Sequence, residues 1–555
     1  MTNSTRFPSV LICVYLWMNL TGCENANPLS RNDYYLEIAR EGAVEIIDAK
    51  DFASSSRTPP VSVEEATAAM RRDWSPQSMV RPGEPVSLSL AEARAAALAG
   101  NLDLQVTLYD PAIAQESINE EEARFEWVFT ASARRTHVDA ATASTLANSQ
   151  ALIDEFDFGV NIPLRTGGTV NVNLPVNRTE TNNAFATLNP SFSTDLRFSI
   201  SQPLLRNAGV RPNTHGIRVA KYQKRLTDAL TKLEAIRVLA NVDRAYWNLY
   251  AARQSLDVAL KQYELAVAQL ERARRRVAQE TAPRIEVTRA ESGVAQRLEA
   301  IIVAQNAVKQ RERDLKRLMN RTDLPVNNQQ AVLPTTEPNP LGLQLDAGEL
   351  AAFAIDNRME MLEQELRLAI NASTIDFQRN QALPLVVLDY SYTVNGLGGN
   401  LGNSFDLMAS KRFEDWSAGL RAEIPIGNEA ANARINRAIL ERLQRLATRE
   451  QRRQAIETEV RNAVDTFDTN WQRVLAARQA AILAGEVLLG EQRQYDAGAR
   501  TSTDVLDAAA ALADAQNAEI RALVDYQIAQ VDLAFATGTL LGQGQVRWEA
   551  KGLEE

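Results

Sequence analysis

Ala251-Ala252-Arg253-Gln254 recurs unchanged 225 residues later as Ala476-Ala477-Arg478-Gln479. Other landmarks keep the same order. Ala97-Leu98-Ala99-Gly100-Asn101 pairs with Phe353-Ala354-Ile355-Asp356-Asn357 at an offset of 256, Pro203 with Pro425 at 222, and Glu286-Val287 with Asp504-Val505 at 218. Landmarks recurring in order at nearly constant spacing mark an internal duplication. The drop from 225 to 218 is one heptad, which leaves a coiled-coil seam in phase. The drop from 256 to 222 falls before the first strand end, where the first copy carries an additional hairpin. Each copy reads short helix, strands, very long helix, return helix.

The long helices follow from proline spacing. Seventy residues without proline separate Pro212 from Pro283, and none follows Pro425. Both stretches are rich in Ala, Leu, Arg, Gln and Glu, which are strong helix formers. A helix of that length spans on the order of 100 Å, which favours a coiled coil over an ordinary bundle helix. Leu256, Leu260, Tyr263, Val267, Leu270 and Val277 keep a heptad seam, with Arg274 at its one polar slot. After Thr281-Ala282-Pro283 the seam resumes in Val287, Val294, Leu298, Ile301, Val308, Leu315 and Met319, with Glu291, Gln305 and Glu312 filling slots. Two antiparallel helices therefore meet at that break.

Strands lie between the helices. Asp195 to Gln202 alternates Leu196, Phe198 and Ile200 with Arg197, Ser199 and Ser201, and ends at Pro203. Trp416 to Gly427 alternates similarly, and Leu385 to Val394 is a third candidate with Asn395 to Gly399 as its turn. Arg124 to His137 reads as another strand, and Asp157 to Pro175, centred on Thr166-Gly167-Gly168, as a hairpin. Alternation without a continuous apolar run suits a barrel wall with one lipid face and one wet face. Trp127, Phe129, Phe192, Phe198, Tyr390, Tyr392 and Trp416 supply aromatic girdles in that reading, or the packing of a soluble sheet in the alternative.

Composition narrows the chemistry. The 555 residues carry a net charge of -10 with only two Cys and two His. An acidic chain lacks the basic surface that phosphate binding needs, so nucleic acid is not an expected partner. His137 and His215 are too few for a zinc site or a Ser/Cys–His hydrolase, and no cofactor motif appears. Both cysteines fall within the first 23 residues. Phe7 to Leu20 is long enough for a signal-peptide core and short for a membrane span, and it leads to Leu20-Thr21-Gly22-Cys23. That tetrapeptide resembles the lipobox of bacterial lipoproteins, in which cleavage precedes a lipidated Cys; an ordinary secretory signal with a chance Cys is the alternative. Glu24 is not the Asp of an inner-membrane retention signal. No later stretch is apolar enough for a membrane helix, so a membrane-spanning form of this chain uses strands.

The stretch Tyr495-Asp496-Ala497-Gly498-Ala499-Arg500-Thr501-Ser502-Thr503-Asp504-Val505-Leu506-Asp507-Ala508, followed by Tyr526 and Gly538-Thr539-Leu540, resembles the second-repeat signature of the TolC-like outer-membrane efflux proteins. Leu88 to Ala93, Gln202 to Arg206 and Trp416 to Gly427 support it, and the resemblance covers roughly residues 86–545. With Cys23 it is similar to the lipoprotein branch. It implies a membrane β-barrel joined to a long α-helical barrel, an internally duplicated trimeric tube in which each protomer gives four strands to a 12-stranded wall. It also implies a passive exit duct that docks to a periplasmic membrane-fusion adaptor and an inner-membrane transporter, and is no enzyme. The expected organisation is a signal peptide over 1–22, a lipid-anchored segment over 23–85, a first repeat over 86–330, a second over 331–545 and a tail over 546–555. Within the repeats it places strands at 124–203 and 385–427 and helical hairpins at 212–320 and 429–540. One departure stands out: the first copy offers four strands (124–137, 157–164, 168–175 and 194–202) where the family uses two. An inserted hairpin extending an extracellular loop is the favoured explanation, and a larger barrel the alternative.

The resemblance also assigns the tip. Asp504 and Asp507, three apart on one helix face, match acidic residues ringing the periplasmic aperture; capping of the helix N-terminus by Thr503 or Ser502 is the plainer role. Tyr495, Arg500 and Glu286 match residues that lock the closed tip, against seam packing for Tyr495 and a solvated loop charge for Arg500. Gly498, Thr501 and Ser502 lie where adaptors dock, and the first-copy tip, Ala278 to Pro283, lacks the Gly. Trp247 and Trp471 read as packing residues and Glu271 to Arg276 as a solvated helix face. A lipid-anchored periplasmic coiled-coil scaffold without a pore is the alternative function.

Overall fold

The computed structural model describes residues 61–66, 85–142, 148–328 and 330–546. The chain divides into two compact units, Met1–Met79 and Val80–Glu555. Of the first, only 61–66 are described, a helical turn closed by reciprocal Ser62–Glu65 bonds. The signal peptide, Cys23, nearly all of the 23–85 segment and the tail from 547 lie outside the described residues.

The second unit runs β1 (Val86–Leu88), α1 (Leu90–Gly100), α2 (Leu102–Leu108), α3 (Asp110–Ala123), β2 (Val128–Asp139), β3 (Gln150–Pro163), β4 (Thr169–Thr181) and β5 (Ser191–Pro203). A short helix, α4 (Val210–Asn213), leads into the first long hairpin, α5 (His215–Ala278) and α6 (Ile285–Met319). The second half runs β6 (Val332–Pro334), α7 (Ala347–Asn357), α8 (Met359–Gln381), β7 (Leu385–Gly398), α9 (Leu401–Ala409) and β8 (Glu414–Glu423). It closes with α10 (Glu429–Asp496), α11 (Ser502–Thr537) and α12 (Leu540–Gln543).

Local chemistry sets the ends. Ser89 and Glu92 form a reciprocal capping box at α1, and the Asp346 carboxylate accepts from Gly348 and Glu349 at α7. Glu280 (φ 57°) and Gly498 (φ 80°) turn the two hairpins, and Gly538 (φ 74°) ends α11. The second copy supplies glycine where the left-handed turn needs no Cβ; the first forces it with Glu280.

The main core sits at the roots of the hairpins. Leu88, Ala93 and Ala97 pack on Val242, Tyr246 and Leu249 of α5 and on Leu315 and Met319 of α6. Tyr246, fully buried, donates to the Leu88 carbonyl (3.1 Å) and accepts the Thr336 N–H (2.9 Å). Its neighbour Trp247 is core, as its packing role implies. The buried Asp243 carboxylate takes two bonds from Arg94, each 2.7 Å. A parallel pairing of β1 with β6 ties the starts of the two copies together. Three-residue strands carry too little alternation to be read from sequence.

The heptad seam needs correction. In α6, Ile301, Val308, Glu312, Leu315 and Met319 are buried as their spacing implies. Toward the tip the buried row becomes Glu286, Ala290 and Gly293. In α5 it is Gln262, Ala266, Gln269 and Ala273, each one residue before an expected seam position, while Tyr263, Val267 and Leu270 are half-buried. A one-residue step turns the buried face by about 100°. The cause is a third helix: α11 lies against this hairpin near the tip, so close that a Cβ on Gly293 would meet Leu506 Cδ1 at 2.9 Å.

Six strands form one antiparallel sheet in the order β2-β3-β4-β5-β7-β8. All four first-copy candidates are strands, and the hairpin extends the sheet itself, contrary to the extended-loop expectation. The sheet thus holds six strands, where the resemblance implied four. The first strand begins at Val128; Arg124 caps α3 instead. β8 ends at Glu423, two residues before Pro425. Asn395 to Gly398 is strand rather than turn, paired with Phe192 to Asp195. Gly396 and Gly398 serve close packing, because a Cβ on either would strike the α9 backbone at Ser404, at 2.2 and 2.7 Å.

Candidate functional site

The first half of the site is the paired hairpin tip. Glu286 of α6 accepts the Ser502 backbone N–H of α11 at 3.2 Å and pairs with Arg289 at 3.0 Å. Ser502 N–H is among the first of α11, which its own helix leaves without an acceptor. Gln269 of α5 donates to Ser502 Oγ at 3.2 Å. Arg276 stacks over the Tyr495 ring, 4.7 Å from its centroid, and donates to the Tyr495 carbonyl at 3.3 Å. Tyr495 is 2% exposed and packs with Leu488, Val505, Ala508 and Ala509.

Of the residues assigned to the tip by resemblance, Tyr495 and Glu286 reach across between the hairpins of one protomer. Arg500 does not: it pairs with Glu491 (3.2 Å) and Gln494 (3.0 Å) of its own hairpin. Ser502 is fully buried, so no docking partner touches it in this conformation, whereas Gly498 and Thr501 remain at the surface. The cap of α11 is Thr501, not Thr503 or Ser502. Asp504 completes a capping box, accepting the Thr501 N–H (2.8 Å) and hydroxyl (2.9 Å). Those bonds hold its carboxyl below the ordinary aspartate range. Asp507 is exposed.

Sequence reasoning missed Arg276 and Gln269. Arg276 lies in the Glu271–Arg276 cluster read as solvated; Arg274 and Arg275 are indeed exposed, pairing with Glu291 and Glu271. With Arg272 and Arg275 it lines a cleft that also includes Asp496 and Gly498. Gln269 lies one residue off the expected seam, so spacing carried no signal for it. Among the described residues no group of His, Cys, Asp or Glu is placed to hold a metal ion, and no helix is long and apolar enough to cross a membrane.

The second half is the six-stranded sheet. Directly opposed residues of an antiparallel pair share a face. The register therefore carries one row across all six strands: Phe129, Val160, Val172, Phe198, Tyr392, Trp416. Every member is apolar or aromatic. The other face carries Thr130, Asn173, Arg197, Thr393 and Asp415. Five of the seven aromatics named from sequence (Phe129, Phe198, Tyr390, Tyr392, Trp416) share the apolar face with Phe192, and the seventh, Trp127, lies just before β2. Among the described residues nothing covers Trp416 (72% exposed) or Phe129 (65%).

Comparison with known proteins agrees with this architecture. Residues 350–539 match the family profile described as outer membrane efflux protein. No curated protein sequence matches the chain. Among solved structures, a membrane protein from Pseudomonas aeruginosa is similar at 20% identity over 81% of this chain and 93% of its own, with a TM-score of 0.61. The CmeC outer membrane channel of Campylobacter jejuni shares 16% identity over 81% and 86%, TM-score 0.59. The outer membrane protein VceC of Vibrio cholerae shares 15% over 81% and 96%, also 0.59. The resemblance to the TolC-like outer-membrane efflux proteins is borne out, and the fold is that of these channels.

Proposed function

We propose that the protein is the outer-membrane exit duct of a tripartite efflux or type I secretion system, carrying small molecules, ions or proteins passively outward. In this reading three copies assemble into a tube, a β-barrel in the outer membrane continuing into an α-helical tunnel in the periplasm. Cys23 is the lipidated first residue of the mature chain. The hairpin tips meet a membrane-fusion adaptor and, beyond it, an inner-membrane transporter.

The observation that carries the reading is the two-faced sheet growing directly out of two helical hairpins. A soluble scaffold must cover a face bearing Phe129, Trp416 and Leu420, and among the described residues these stay 65–72% exposed. Lipid supplies the cover. The same face weighs against a poreless periplasmic adaptor.

At the tip, Asp504 and Asp507 from three copies place six carboxylates around one aperture, attracting cations by focusing of the field. Glu286, Tyr495 and Arg276 hold the hairpins together by polar and stacking contacts, which a docked adaptor releases without breaking a hydrophobic core. Gly498 and Thr501 are the surface it first meets. The purified, detergent-solubilised protein should open pores in a planar bilayer; a preparation that inserts but never conducts would refute the duct.

A further inference from the structure

We propose that the membrane wall is built from all six strands of each protomer, so that three copies close an 18-stranded barrel, half again the strand number expected from the resemblance. The proposal rests on the trimeric duct reading and adds the size of its outer portal.

Three observations carry it. First, the inserted hairpin is wall by its side chains. Phe158, Val160 and Ile162 of β3 and Val170, Val172 and Leu174 of β4 stand on the same face as Phe198 and Tyr392. An extracellular loop exposes polar residues on both faces; this hairpin pairs through thirteen consecutive positions and alternates from Phe156–Val176 to Ile162–Val170. Its turn is bolted to the base of the wall, with the Thr166 carbonyl accepting from Gly209 N–H (3.0 Å) and Gln202 Nε2 (3.1 Å).

Second, the inserted strands share the edge of the apolar band. On β2, β3 and β4 the apolar face ends at Arg135, Asp154 and Arg178, both arginines donating to the Asp154 carboxylate. On β8 it ends at Glu414, opposite Val394, two face positions sooner. The boundary is level across β2, β3 and β4, where Arg135, Asp154 and Arg178 stand directly opposite one another, so the inserted strands end their apolar face in the same row as the sheet's outer strand β2 and face the same bilayer.

Third, the open edges match. β2 and β8 are the sheet's termini, and their residues are almost all exposed. Unpaired backbone is not tolerated in hydrocarbon. An even strand number makes the two edges run in opposite directions, so β2 of one copy meets β8 of the next antiparallel, and rotation closes the ring. With strands about 4.8 Å apart and tilted about 40°, eighteen strands give a backbone diameter of roughly 36 Å, against roughly 24 Å for twelve. The outer portal is then wide enough that selection falls to the helical tip.

Electron cryo-microscopy of the full-length protein in lipid nanodiscs should resolve 18 wall strands. Twelve strands with β3–β4 projecting outward would overturn the proposal and leave the duct intact; a particle without a membrane wall would refute the duct reading instead. Copy number is checked separately by pairing Thr130→Cys in β2 with Asp415→Cys, Ser417→Cys or Gly419→Cys in β8. Oxidation in membranes should give a cross-linked ladder ending at three copies for one of these pairs. A ladder ending at two, which makes a 12-stranded ring, or no cross-link in any pair, would overturn it. An Asn173→Cys/Arg197→Cys pair, opposed across β4–β5, should close within one chain, and failure to close in the assembled protein would exclude the inserted hairpin from the wall.

Discussion

Glu286 and Ser502, 216 residues apart, are joined at the tip: the carboxylate of one repeat accepts the first backbone N–H of the other repeat's return helix at 3.2 Å. An acid at a helix N-terminus meets both an orphan donor and the positive end of the helix dipole. Removing the acceptor leaves a buried N–H unpaired, at a cost of about 1–3 kcal/mol. Glu286→Ala should therefore lower the denaturation midpoint in detergent and raise the fraction of time the channel conducts. Glu286→Gln, which keeps an acceptor, should fall between. Equal behaviour of the Ala variant and the unaltered protein would exclude Glu286 as a link.

Arg276 over Tyr495 is a second link. A guanidinium stacked on an aromatic face contributes about 0.5–1 kcal/mol where it is solvent-accessible. Lysine carries the charge without the flat fork, so Arg276→Lys should recover only part of what Arg276→Ala loses. Single-channel open probability is the measurement. Full rescue by Lys would mean that charge alone matters.

Asp504 and Asp507 separate by chemistry. The Thr501 bonds hold Asp504's carboxyl below its ordinary value. A depressed pKa keeps the carboxylate charged as pH falls through the usual aspartate range, so cation selectivity contributed by Asp504 persists there and is lost only at lower pH. Asp507→Asn should reduce selectivity without disturbing the cap, whereas Asp504→Ala should reduce both selectivity and helix-start protection in hydrogen exchange. Reversal potentials in a salt gradient test the first effect, and selectivity unchanged in the double variant would remove the aperture role.

His215 gives a pH dependence of stability. It stacks on Phe377 at 4.6 Å and lies 3.0 Å from Ser373 Oγ. Burial, then the neighbouring Arg218, push its pKa below 6.5, with Glu121 opposing. The unfolded chain thus takes the proton first, and stability present above about pH 6.5 declines as pH falls toward the folded value. His215→Phe keeps the stack and should show less loss of thermal stability between pH 7.5 and 5.5 than the unaltered protein. Parallel pH profiles would dismiss the effect.

Gly396→Ala should destabilise the packing of β7 on α9 by about 1–3 kcal/mol, since the new Cβ falls 2.2 Å from the Ser404 carbonyl and 2.8 Å from that of Thr194, both backbone. Gly402→Ala, whose Cβ meets only Asn400 Oδ1 at 3.5 Å, is the control and should be neutral or mildly stabilising. Hydrogen exchange over β7 and α9 reads both.

By itself the sequence determined the two long hairpins and the six strands of the main sheet, though not the 23-residue helix α8. Seventy proline-free residues and a heptad repeat can only be relieved by long packed helices, and strict alternation in Leu196 to Ile200 fixes which side of a strand is apolar. Those are local facts, carried by spacing along one chain. The tertiary structure decided what meets what. Alternation showed that β3 and β4 were strands, but only their register against β5 placed them inside the one sheet. Asn395 to Gly398 has turn composition, yet α9 presses on it and makes the glycines a packing requirement. Spacing placed Ser502 at the head of a helix, and a neighbouring hairpin 216 residues away buried it. Arg276 looked solvated until Tyr495 came within 4.7 Å. Periodicity records how a segment faces its surroundings; it does not record which segment, or how many, will be there.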